Sequence, residues 1–145
     1  MAGKKLTELS EEELVQLAEA YYKEMDDIMN EEDDEVACEK VFKKYIQVYE
    51  QLSTMNFEKY ADVLMKEYLN FAEFYFNFTE HERRGLNVLK KRVELCQKLT
   101  QTRPEYVSEL EISYIELGDQ YDGLGFTQKA DEMYRIAEEI KQKSK

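Results

Sequence analysis

One proline, five glycines, two cysteines, one histidine and no tryptophan stand beside eleven tyrosines and 32 acidic residues in a chain of 145. Each shortage removes a class of answer. Period-two alternation and Gly/Asn hairpin turns are missing over any useful length, so no strand pattern competes with a helical one. Cys38 and Cys96 are far apart and have no CxxC partner, which argues against a disulfide scaffold or a zinc site; both read as small buried hydrophobes. The residue three before His81 is Phe78, so the paired Glu-x-x-His motifs of a di-iron carboxylate bundle are absent. No motif surrounds a serine or cysteine nucleophile, and no glycine-rich phosphate loop occurs. The expectation is a protein that is not an enzyme and needs no cofactor or metal. Long apolar runs are lacking too: Met1 to Ser10 holds two lysines but no secretion core, and no window is long enough to span a bilayer. A cytoplasmic location, away from membranes, is expected.

What is present is charge and apolar periodicity. The formal net charge is -12, with 36% charged and 43% hydrophobic residues. That balance suits a folded, helix-rich chain and repels phosphates, so nucleic acid is not an expected partner. A basic protein partner is the natural complement, although acidic charge also serves solubility alone.

The spacing predicts six helices. Ser10 opens the first with Glu13 as capping-box partner, and apolar positions then recur until Asn30. The acidic run from Glu31 to Asp34 reads as a loop that supplies an N-cap to the second helix, which stops near Ser53. Asn56 caps a third through Phe78, and Thr79 with Glu82 forms the capping box of a fourth. Pro104 fits the first turn of a fifth that ends at Gly123-Leu-Gly125, and Thr127 caps the sixth. Short connections make consecutive helices antiparallel neighbours. The expected fold is all-α, a single domain of three hairpins at about 10–53, 56–100 and 103–143.

One phrase recurs on the first helix of each hairpin: Leu14, Leu17, Ala18, Tyr21; Tyr68, Phe71, Ala72, Tyr75; Tyr114, Leu117, Gly118, Tyr121. A small residue beside large ones at three- and four-residue spacing marks where another helix approaches closely. In the last hairpin Tyr114, Leu117, Gly118, Tyr121, Ala130, Tyr134 and Ala137, with Gly125 in the turn, resemble the signature of the tetratricopeptide repeat (TPR) family. The earlier hairpins depart from it. Gly85 and Leu89 fall one residue late, Arg92 stands where the family has a small residue, and Ala37 comes seven residues late. The phrase recurs after 54 and then 46 residues, against about 34 in the family, so the helices must be longer than standard. The resemblance implies a short right-handed solenoid.

It also implies that the first helices line a concave groove in which a peptide docks. Counting from each phrase places Val15, Leu69 and Ile115 there beside Glu19, Glu73 and Asp119, with Tyr22, Phe76 and Asp122 one turn on. Three aliphatics beside three carboxylates would suit a basic, partly apolar segment of a partner, and the chain would act as an adaptor. The paired basic positions with which a subclass of the family grips acidic tails are occupied here by Val15, Glu19, Ile112 and Glu116; only Asn70 agrees. Two other readings stay open: an acidic inhibitor or nucleic-acid mimic seated in a basic site, and a homodimer joined at the third helix. That helix is apolar on two sides, Phe71, Phe74, Tyr75 and Phe78 on one and Met65, Leu69 and Phe76 on the other.

Overall fold

The computed structural model describes residues 4–144. Among them all regular structure is helical: α1 (Glu11–Asp27), α2 (Glu35–Met55), α3 (Phe57–Phe78), α4 (Glu82–Thr102), α5 (Val107–Gly123) and α6 (Thr127–Lys143). Short 3-10 turns at Leu6–Glu8 and Pro104–Tyr106 and a π turn at Ile28–Glu32 complete the order. The expected all-α architecture is what forms. Contacts within the chain fall into two compact units, 1–67 and 68–145, which divide within α3, so the middle hairpin of the sequence reading is shared between them.

In the first unit α1 packs on α2. Leu14, Ala18 and Met25 of α1, Val41, Val48 and Leu52 of α2 and Ala61 and Leu64 of α3 are all buried. Burying each large aliphatic side chain contributes about 1.5–3 kcal/mol. The start of α3 is tied to the start of α1: Lys59 Nζ and the Tyr60 hydroxyl both donate to one Glu11 carboxylate oxygen, each at 2.7 Å. These bonds hold the Glu11 carboxyl below its ordinary range.

In the second unit α4 packs on α5 and α5 on α6. Phe76 of α3 lies over Gly85 of α4, where an added Cβ would stand 2.7 Å from the ring. Gly118 of α5 takes the Tyr134 ring of α6 at the same close range. Ala130 and Ala137 of α6 are buried, and so are all four phrase residues of α5. The small positions of the repeated phrase, Ala18, Ala72 and Gly118, are all buried, and at Gly118 the Tyr134 ring makes the close approach.

The helix ends correct the sequence reading in four places. The Ser10–Glu13 capping box forms, with bonds of 2.9 and 3.1 Å. At the other end of α1 the regular turns stop at Asp27 instead of Asn30, and the π turn carries the chain into Asp33, whose φ of 48° fills the left-handed cap position usually given to glycine. The acids that follow Asn30 oppose the helix dipole at a C-terminus, but Asp34 suits the next N-terminus and caps Val36 and Ala37 there. Thr79 does not open α4: its hydroxyl accepts from the His81 amide and donates to Tyr75, and His81 takes the N-cap position. Nor does Thr127 cap α6, which begins at that residue with Phe126 as N-cap. A Schellman closure draws Phe126 there. The Phe126 amide donates to the Tyr121 carbonyl and that of Gly125, at φ 86°, to Asp122. The rings of Tyr121 and Phe126, 6.2 Å apart, make the apolar contact that accompanies this motif. Pro104, expected in the first turn of α5, instead opens the separate 3-10 turn before it.

Candidate functional site

Both cysteines are buried, and burial pushes their thiols up, so neither is a ready nucleophile. Among the described residues no group of three or more His, Cys, Asp or Glu side chains could hold a metal ion. No helix is long and apolar enough to cross a membrane. A shallow hollow of about 420 Å³ runs along the first turns of α2, but its charges are set against each other, as in the Glu39–Lys43 pair at 3.3 Å.

The nine residues expected to line a groove are distributed over both units. In the first, Val15 is half-buried while Glu19 and Tyr22 are exposed, Tyr22 at 60%. The Tyr22 ring lies 6.0 Å from Tyr45 of α2, and Tyr45 meets Tyr49 edge-on at 5.1 Å. Burial, and the Glu67 carboxylate bonded to its hydroxyl, push the Tyr45 phenol far above its ordinary range. Burial raises Tyr49 as well, and the Glu67 and Glu19 carboxylates push it in the same direction. Sequence reasoning missed Tyr45, Tyr49 and Glu67 as neighbours of Glu19 and Tyr22. The available signal was the four-residue spacing of the two tyrosines on α2. Within this cluster the Tyr45 hydroxyl is engaged with Glu67 and Tyr49, while Tyr22 stays largely in solvent.

In the second unit Leu69 and Phe76 are half-buried, and Phe76 is committed to Gly85. Glu73 is exposed. The α5 members stand out. Ile115 is 36% exposed, Asp119 and Asp122 are exposed, and Ile112, one turn before Ile115, is 41% exposed. At 100° per residue, Ile112, Ile115, Asp119 and Asp122 share a sector of about 80°. The helix carries Glu109, Glu111, Glu116, Asp119 and Asp122 and no base. Asp119 accepts from the Tyr134 hydroxyl at 2.6 Å, which fixes its carboxylate on the surface of the hairpin. That bond pushes the Tyr134 phenol up to about 12. Ile112 was noted in the sequence only as a missing basic position; its exposure makes it part of the face.

Beneath this face the contact with α4 is polar. The Arg92 guanidinium, 5% exposed, pairs with the Glu116 carboxylate, 36% exposed, and its Nε has no partner. Gln97 donates to the Tyr114 hydroxyl nearby. The buried Arg92 cation is therefore paired with an acid on α5. Comparison with known proteins returns no matching family model, no matching curated protein and no matching solved structure.

Proposed function

We propose that this chain is a non-enzymatic interaction module, a cytoplasmic adaptor of TPR-like helical hairpins, whose α5 face takes a basic, partly apolar segment of a partner protein. One observation carries the reading: α5 exposes two isoleucines on a helix with five carboxylates and no base. An apolar pair framed by one sign of charge suits lysine or arginine side chains alternating with aliphatic ones. Gly118 under Tyr134, with Ala130 and Ala137 buried, supports the TPR-like reading of the last hairpin.

A peptide of alternating lysine and leucine, titrated calorimetrically at physiological salt, tests this. Covering each isoleucine contributes about 1 kcal/mol at its present exposure. The variant I112S/I115S, with every charge intact, is therefore expected to bind at least about tenfold more weakly. Unchanged affinity would contradict the proposal and favour the acidic-mimic reading, in which charge alone does the binding.

A further inference from the structure

Charge is unevenly divided among the helices. While α1 holds seven acids against Lys23 and α5 five against none, α4 carries Arg83, Arg84, Lys90, Lys91, Arg92 and Lys98 against Glu82 and Glu94. All of these α4 bases except Arg92 are exposed, and they lie with Glu94 in a sector of about 120°. With 32 acids against 20 bases, carboxylates are in excess over the whole chain. Arg83, Lys90 and Lys98 of α4 and Lys129 of α6 have none within ion-pair distance among the described residues. Three of them gather over two rings: Arg83 over Phe126 at 5.7 Å, Lys90 over Tyr121 at 5.9 Å, and Lys129 over both at 5.6 and 5.7 Å. Like charges held this close repel one another until an anion joins them.

We propose that the exposed face of α4, together with Lys129, docks an acidic peptide segment of a protein partner. The site is separate from the α5 face and of opposite sign. From Arg83 to Lys98 the stripe is about 22 Å long, room for an extended segment of about seven residues. A short acidic segment fits better than nucleic acid. The axis of α5, with its five carboxylates, packs against α4 at the 8–10 Å usual for helices, about one Debye length at physiological salt. A long polyanion sets many more phosphates against the acidic excess of the chain than a seven-residue segment sets carboxylates. The net charge of -12 is screened beyond the same distance.

A fluorescein-labelled heptaglutamate peptide, followed by anisotropy at 50 and 300 mM salt, is the probe. The wild-type chain is expected to bind it, to weaken at the higher salt, and to lose at least about tenfold in affinity in K90Q/K98Q/K129Q. The I112S/I115S variant should bind it as wild type does, which separates this site from the α5 face. Far-UV circular dichroism monitors folding. If the triple variant loses helicity, K98Q alone, whose ammonium contacts no ring, should still weaken binding by about twofold. Absence of binding by the wild-type chain would overturn the proposal, as would equal binding by a folded triple variant or tighter binding of oligothymidylate than of heptaglutamate.

Discussion

Gly118→Leu is expected to lower stability by about 2–3 kcal/mol and the melting temperature by about 6–10 °C. A Cβ on Gly118 already stands 2.7 Å from the Tyr134 ring, closer than real Cβ atoms come. The ring cannot swing away freely, because its hydroxyl is held by Asp119 at 2.6 Å. Replacing a helix glycine with a better helix former recovers about 1 kcal/mol, which is too little to offset the overpacking. Gly123 provides the control. Nothing lies within 4 Å of a Cβ there, so Gly123→Ala should hold stability level or raise it by about 0.5 kcal/mol. Thermal unfolding followed by circular dichroism compares the two variants. A tolerated leucine at 118 would mean that α5 and α6 do not close on the glycine as described.

The second large effect is an asymmetry across the Arg92–Glu116 pair. Glu116→Ala leaves a guanidinium that is 5% exposed without its counter-charge, and its Nε is already unpartnered. Breaking a buried pair from one side costs about 3–5 kcal/mol; because Glu116 is 36% exposed and partly hydrated, about 2–3 kcal/mol is expected here. Arg92→Met should change stability by less than about 1 kcal/mol. The carboxylate that it leaves behind reaches water, and a flexible apolar side chain fills the space while the orphaned Nε disappears. Urea titration of the two variants measures the difference. Equal losses would mean that the pair is stabilising in itself and the desolvation argument is wrong.

The helices were legible in the sequence because their signals are local. Apolar spacing, the Ser10–Glu13 box and Gly125 each act within one or two turns, and each is realised. Thr79 and Thr127 fit the same capping rules, yet lost to competitors that the rules do not weigh: the Thr79 hydroxyl oxygen accepts from the His81 amide two residues on instead of from the first turn of α4, and the Tyr121–Phe126 closure claimed the start of α6. The candidate site was only half legible. Counting along the repeated phrase found Ile115, Asp119 and Asp122, which share a helix face with one another. It also selected Phe76, because periodicity does not say which side of a two-sided helix meets its neighbour; Gly85 provides that place. The grouping of Arg83, Lys90 and Lys129 over Tyr121 and Phe126 joins residues of three helices and the turn between two of them, beyond the reach of any single-helix pattern.

Amide chemical-shift mapping of the isotope-labelled chain, titrated with the lysine-leucine peptide, tests the binding claim most directly. The shifts should concentrate on Ile112, Ile115, Asp119 and Asp122, with the α4 stripe from Arg83 to Lys98 left unmoved. Small shifts spread over the acids of every helix, with no focus on the two isoleucines, would contradict it.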